Sequence, residues 1–307
     1  MTTELLAAAL AAAEAGAVVL RRYFRTADLE VRKKAENDFV TRADGESEAA
    51  IVGLLRERFP DHHVLAEERG IDAGGASEFE WVIDPLDGTT NFLQGLPVYC
   101  ISIACRRRSG ELLAGVVLDP EGGNRFAAAA GQGATWNDRP MRSSARPSLS
   151  GAFLATGYPW RAHPTLDLYL EAFRDIFLEV RAIRRCGAAA LDLAYTAAGV
   201  YDGFFEFRLS PWDIAAGILL VREAGGVVTD VDGGQGLFVS GNVVAGGPGV
   251  QPALLAKIAR HATEAGIAER LRADQEVVVR QVPQRLAAAE GARRSEEANE
   301  TTTEGEP

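Results

Sequence analysis

Between residues 98 and 130 the apolar pattern of this chain has the period of strands, and from residue 152 onward it alternates between strand and helix. That order constrains the fold more than any other feature. Segments 98–106, 112–118 and 125–129 are separated by turn signals at Ser109-Gly110 and Gly122-Gly123. An antiparallel meander is expected there. Beyond it the pattern predicts a strand near 152–155, a helix over 166–177, a strand over 180–183 and a helix over 188–198. A strand over 203–207, a helix over 212–223, strands over 227–229 and 243–245 and a helix over 252–260 complete it. Two helices precede the meander, over 3–24 and 44–59, the second stopped by Pro60 and started with Asp44 at the N-cap. A short strand, 64–66, runs into Glu67-Glu68. Such an order gives mixed sheets layered with helices, an α/β (α+β) chain.

Composition narrows the function classes. The chain has 307 residues and a net charge of −11, from 32 basic and 43 acidic residues. Such acidity argues against a nucleic-acid partner, which needs a basic footprint, and against docking on anionic lipid. Cys100, Cys105 and Cys186 are too few for a disulfide framework and read as buried thiols in a reducing compartment. His62, His63, His163 and His261 show no metal-ligand spacing. Glu4 and Glu14 interrupt the alanine-rich start, so neither a signal peptide nor a membrane span is expected, and the chain reads as cytoplasmic. Residues 262–307 hold ten acids and six arginines. One more helix over 267–285 fits their pattern, and the rest reads as a disordered acidic extension beyond a body spanning 1–260.

The chemistry concentrates in residues 81–92, WVIDPLDGTTNF. The apolar run 81–83 stops at Asp84-Pro85 and delivers two carboxylates, Asp84 and Asp87. Gly88 permits a tight turn, and Thr89-Thr90-Asn91 can open a helix whose N–H groups favour an anion. The segment offers oxygen ligands for a hard cation beside a cradle for phosphate. On its own it is also an ordinary strand-to-helix turn. Three other segments add acids at element ends: DFVTRAD over 38–44, Glu67-Glu68, and Pro211-Trp212-Asp213 before an apolar helix; each alone also reads plainly, Asp44 and Asp213 as helix caps and Glu67-Glu68 as a surface pair. Element ends are where ligand sites collect in α/β folds.

Together with GQGATWNDRPM over 131–141, RRCGAAALDLAYTAAGVYDGFFE over 184–206 and GNVVAGGP over 241–248, these segments resemble the inositol monophosphatase family of magnesium-dependent, lithium-sensitive phosphatases. The resemblance spans residues 4–260 and is nearest to bacterial inositol monophosphatases. It implies a layered αβαβα sandwich of the inositol monophosphatase and fructose-1,6-bisphosphatase type, in a homodimer. It also implies two or three magnesium ions. Glu67, Asp84 and the Leu86 carbonyl match ligands of the first ion, and Asp84, Asp87 and Asp213 those of the second, while Glu67 also matches a third site. Thr89 and Asp44 match the pair that orients the attacking water, with Thr41 and Asp38 in the same motif. Gly88 and Thr89 match the backbone donors to phosphate, and Asp87, Ala189, Glu206 and Asp213 match contacts to the inositol hydroxyls. Lys33 or Lys34 matches a mobile-loop lysine.

The implied activity is hydrolysis of myo-inositol 1-phosphate, or of fructose 1,6-bisphosphate, histidinol phosphate or 3′-phosphoadenosine 5′-phosphate by the same chemistry. A non-catalytic regulatory or binding protein is the alternative of another class. Among smaller signals, Glu206 favours a polyol because a carboxylate accepts from hydroxyls. Arg184-Arg185 reads equally as a subunit or active-site rim charge or as a solvated surface pair, Tyr158 and Trp160 read as packing residues, and Gly233-Gly234-Gln235-Gly236 reads as a turn.

Overall fold

The structure, a computed structural model, describes residues 1–264 except 27–28, 36–37, 73–74 and 159–165. The expected helix over 267–285, most of the acidic extension, and Trp160 lie outside the described residues. Among the described residues the strands form an eight-stranded sheet, a five-stranded sheet and a two-stranded ribbon. The ribbon pairs β1 (Arg32–Ala35) with β2 (Asp38–Val40). The larger sheet holds β3 (His63–Ala66), β4 (Gly70–Asp72), β5 (Phe79–Asp87), β6 (Cys100–Arg107), β7 (Leu112–Asp119), β8 (Asn124–Ala129), β9 (Ala134–Trp136) and β10 (Arg139–Met141). Its order is β10-β9-β8-β7-β6-β5-β3-β4, and only β3 and β5 run parallel. The smaller sheet, β12-β11-β13-β15-β14, comprises β11 (Phe153–Thr156), β12 (Ala182–Arg184), β13 (Gly203–Glu206), β14 (Val227–Thr229) and β15 (Val243–Gly246).

Five layers result because both faces of both sheets are apolar. Helices α1 (Thr2–Tyr23) and α2 (Arg42–Arg58) cover one face of the large sheet, burying Trp81, Ile83, Ile101, Ile103 and Val116. On its other face Val82, Ala104, Val117 and Phe126 meet α5 (Ala189–Ala197) and α6 (Pro211–Glu223). The same two helices pack against the small sheet, whose far face carries α4 (Leu166–Phe177) and α8 (Gln251–Glu264) over Leu154, Phe205 and Val244. The period of two along β6 and β7 sorts their side chains between the two cores. Gly115 of β7 lets α6 approach, since a Cβ there would stand 3.2 Å from both Cα and O of Ala216. Helix α1 is long and apolar enough to cross a membrane by length and composition, yet Leu5, Ala9, Ala12, Ala13 and Leu20 are buried against the sheet and α2. The short helix α7 (Leu237–Ser240) precedes β15, and α8 runs to Glu264, past the helix end expected at 260.

Four local expectations are corrected. The strand expected to stop at Asp84-Pro85 continues to Asp87. It does so by a bulge, because Asp84 pairs with Ser102 and Asp87 with Cys100, which leaves one extra residue on β5. Pro85, lacking an N–H, sits where the ladder is interrupted. Asp44 is not the N-cap of α2; Thr41 is, and Asp44 is the third residue of a capping box. Asp213 likewise follows the cap Ser210 of α6, with Pro211 in the first turn. Tyr158 is about half exposed, its ring edge-on to Tyr169 at 6.0 Å. The glycines near 233 do turn the chain, with Asp230 N–H donating to Gly234 O and Gly233 N–H to Asp230 O.

Candidate active site

The end of β5, its bulge and the short helix α3 (Thr89–Leu93) form the floor of the site. Gly88 joins strand to helix with φ +93°, a left-handed conformation that favours glycine. It is also pressed against its surroundings, since a Cβ would lie 3.0 Å from Val98 O and 3.3 Å from the Ala188 Cβ. The turn before α5 therefore closes directly over the β5 turn. Asn91 locks this contact by donating from Nδ2 to Val98 O at 2.7 Å and to Cys186 O at 2.9 Å.

Each acid at the floor is aimed by a hydrogen bond. Asp84 Oδ1 accepts from the Leu86 N–H at 2.9 Å, across the bulge. Asp87 Oδ2 accepts from the Ala190 N–H at 2.7 Å, and the Cys100 thiol donates to the same oxygen at 3.6 Å. Asp213 Oδ2 accepts from the Ser210 N–H at 2.7 Å. Asp44 Oδ2 accepts from the Thr41 N–H at 2.8 Å and from its hydroxyl at 2.5 Å, leaving Oδ1 turned toward Thr89. The Thr89 hydroxyl lies 3.3 Å from Asp44 Oδ1 and 3.1 Å from Leu86 O. Its one proton therefore has two acceptors, and its lone pairs remain available to an incoming water.

The acids share one electrostatic field. Burial pushes the Asp84 carboxyl well above the usual carboxylate range, and the charges of Glu67, Asp87 and Asp213 push it further. Burial and then Asp213 push Asp87 up to about 7. Glu67 stands where β3 ends, its N–H bonded to Ile83 O at 3.2 Å, so the parallel β3–β5 pair delivers Glu67 and Asp84 to one edge. Sequence reasoning brought Asp44, Glu67, Asp84, Asp87 and Asp213 to one place, and the structure links them through Thr89 and through this field.

A divalent cation is tested by this donor set. Asp84, Asp87, Asp213, Glu67 and the Leu86 carbonyl present oxygen alone, the preference of a hard cation such as magnesium. The chief charges acting on Asp84 are all negative, which a cation would relieve. The carboxylates do not form a closed cage, because among the described residues no group of three or more His, Cys, Asp or Glu is gathered closely enough to hold a metal ion. Magnesium asks for only one or two carboxylates, with water completing its shell. The residues fit the ion.

Of the other expected residues, Glu206 ends β13, and burial followed by Asp192, Asp213 and Asp87 pushes its carboxyl well up. Ala189 opens α5 beside the Ala190 N–H that holds Asp87. Lys33, Lys34 and Asp38 lie in the ribbon, with side chains outside the described residues. Sequence reasoning missed three residues. Asn91 is the stitch named above. Glu48, buried in α2, accepts from the Glu68 N–H at 2.9 Å and pairs with Arg69 at 3.1 Å, which fixes the turn after Glu67. Asp192, buried on α5, has an Oδ1 with no hydrogen-bond partner, and burial pushes it well up. Its Leu-Asp-Leu context in an apolar helix was the available signal.

The model of the inositol monophosphatase family matches residues 1–266. The chain belongs to the inositol monophosphatase family. Among its relatives, the Nus factor SuhB of Escherichia coli (strain K12) is 46% identical over 248 residues, covering 81% of this chain and 92% of the relative. The Nus factor SuhB of Pseudomonas aeruginosa is 46% identical over 255 residues, covering 82% and 94%. The solved structure of extragenic suppressor protein suhB from Bartonella henselae has a TM-score of 0.79 at 41% identity, covering 83% of this chain and 98% of that one. An inositol monophosphatase from Anabaena (Nostoc) sp. PCC 7120 gives 0.73 at 36% identity, covering 85% and 96%. The αβαβα layering is thus that of the family.

Proposed function

We propose that this member of the family is a magnesium-dependent phosphomonoesterase acting on myo-inositol 1-phosphate or a related polyol phosphate, by direct attack of water. The observation that carries the reading is the Thr89 hydroxyl set between Asp44 Oδ1 and Leu86 O, beside Asp84 and Asp87. Glu67, Asp84, Asp87, Asp213 and the Leu86 carbonyl would hold two to three magnesium ions. Bound there, magnesium would supply Lewis acidity toward the phosphate and charge to offset the departing alkoxide.

The chain's own residues do the rest. Asp44, fixed through Oδ2 by its cap, keeps Oδ1 as acceptor for the Thr89 proton. Thr89 in turn accepts from water and orients it, and the water's proton leaves along this pair. The tight turn at Gly88 brings its N–H and that of Thr89 toward the phosphate oxygens. Glu206, Asp213 and Asp87, with the Ala189 backbone, meet the hydroxyls of the polyol. No serine, cysteine or histidine nucleophile is needed, so no phosphoenzyme forms. Loss of release by lithium, pairing of two subunits and a cytoplasmic setting belong to the same reading. A panel comparing inositol 1-phosphate, fructose 1,6-bisphosphate, histidinol phosphate and 3′-phosphoadenosine 5′-phosphate tests it. Highest kcat/KM on inositol 1-phosphate supports it, and no release from any ester removes it.

The relatives' name favours a second reading. Proteins 46% identical are called Nus factor SuhB, not phosphatase, which supports a binding role for the same fold. Under that reading the Asp84→Asn protein would keep the cellular role of the wild type.

A further inference from the structure

From the sequence Arg185 reads as a subunit or active-site rim charge or as a solvated surface charge. Its neighbour Arg184 lies over the Phe153 ring at 4.9 Å and donates to Ile183 O at 3.3 Å, so it is engaged with the body of the protein. Arg185 differs. Its guanidinium sits 5.2 Å from the centroid of the Tyr158 ring, and among the described residues it has no ion-pair partner and no hydrogen-bond acceptor. Five N–H donors are thus held in place by an aromatic face without being used.

The position of that guanidinium is fixed from two sides. On one, it lies against Gly187, where a Cβ would come 2.6 Å from Arg185 Nη1 and 3.3 Å from Asn91 Nδ2. Gly187 leads into Ala188, whose Cβ would lie 3.3 Å from a Cβ at Gly88. On the other side, Tyr158 follows Gly157, and the Glu206 carboxylate packs so closely on Gly157 that a Cβ there would collide with it. Arg185 therefore spans the gap between the Gly88 turn and Glu206, the two ends of the site. Its charge also opposes those of Asp192, Asp213 and Asp87 at Glu206.

We propose that Arg185, held by Tyr158, is a specificity-determining residue that donates to a substrate hydroxyl whose proton Glu206 accepts. This inference rests on the phosphomonoesterase reading above. A hydroxyl both donates and accepts, so it can bridge a guanidinium and a carboxylate at once. A second phosphate at the same place would meet Arg185 but also Glu206 and Asp213, and a substrate ammonium would meet Glu206 but be repelled by Arg185. The pair thus selects a neutral polyol carrying a single phosphate over bisphosphates and amino alcohols. Asp192 stands behind it as a buried acid whose charge Arg185 also offsets.

The experiment compares kcat/KM for myo-inositol 1-phosphate and for phenyl phosphate, which has no hydroxyls, in wild type, Arg185→Gln, Arg185→Lys and Tyr158→Leu. Both sites are exposed, so the variants fold, and their melting curves check this. The ratio of polyol to aryl ester falls at least about tenfold in Arg185→Gln, as expected when a site built to bond a hydroxyl loses its donor. It falls less in Arg185→Lys, which keeps the charge but not the fork, and the loss in Tyr158→Leu appears in KM. An active Arg185→Gln protein with an unchanged ratio, whatever its subunit assembly, overturns this inference alone. A wild type that releases phosphate from neither ester overturns it together with the phosphomonoesterase reading.

Discussion

Replacing Thr89 by valine removes one oxygen from the centre of the site and little else. The side chain keeps its branched shape, and Asp44 keeps its two bonds from Thr41 through Oδ2. What disappears is a hydroxyl 3.3 Å from Asp44 Oδ1 and 3.1 Å from Leu86 O. The long bond to the carboxylate contributes about 1 kcal/mol to stability, so the melting temperature falls by only a few degrees. Turnover suffers far more. Without the hydroxyl, water loses both its orienting partner and its route to Asp44, and positioned proton transfer of this kind contributes roughly 10²–10⁴-fold. The expected result is kcat reduced by at least about 100-fold with KM changed less than threefold, and recovery in Thr89→Ser. The assay is initial-rate phosphate release from inositol 1-phosphate at saturating magnesium. A Thr89→Val protein that keeps a tenth of the wild-type kcat would refute the role given to this hydroxyl.

Three further outcomes follow from the same geometry. Gly88→Ala must hold alanine at φ +93° and press a Cβ to 3.0 Å from Val98 O, costing about 1–2 kcal/mol in the left-handed backbone alone; thermal melts show the loss, together with reduced turnover as Asp87 and Thr89 shift. Without divalent cation, Asp87 titrates near 7 in the folded chain against 3.8 in the ordinary case, so the folded state binds the extra proton and stability falls as pH rises between those values, by up to about 1.4 kcal/mol per unit. Saturating magnesium holds the carboxylate ionised and flattens that slope, so parallel melting-temperature curves with and without magnesium would contradict the assignment. Gly115→Val drives a side chain into Ala216 of α6, where even a Cβ would stand 3.2 Å from the backbone; denaturant titration is expected to show a loss of about 1–3 kcal/mol, and an unchanged midpoint would refute the close approach.

Much of the architecture was legible where periodicity and turn chemistry agree. The meander 98–130 and the helices α4 and α6 stand where the pattern put them, because their apolar faces are buried against sheets on a regular repeat. The hairpin of β9 and β10 was missed although Asn137-Asp138, both at positive φ, is a recognisable two-residue turn between short strands. The bulge at Pro85 was read as a strand end because proline usually stops a ladder, and only pairing with β6 shows the strand resuming. Acids at element ends were legible as a group from residue type and spacing. Their orientation was not, because Leu86, Ala190 and Ser210 supply it through backbone N–H groups whose positions depend on the fold. Asn91 and Glu48 act through residues distant in sequence, so no local pattern marks their roles.

In the proposed function these carboxylates serve a divalent cation in phosphomonoester hydrolysis. Phosphate release from myo-inositol 1-phosphate, measured in excess chelator and then with magnesium restored, for wild type and Asp84→Asn, tests it most directly. Wild type is expected to release phosphate only with magnesium, and a folded Asp84→Asn protein almost none under either condition. Equal release in chelator, or half the wild-type rate from Asp84→Asn, would contradict it.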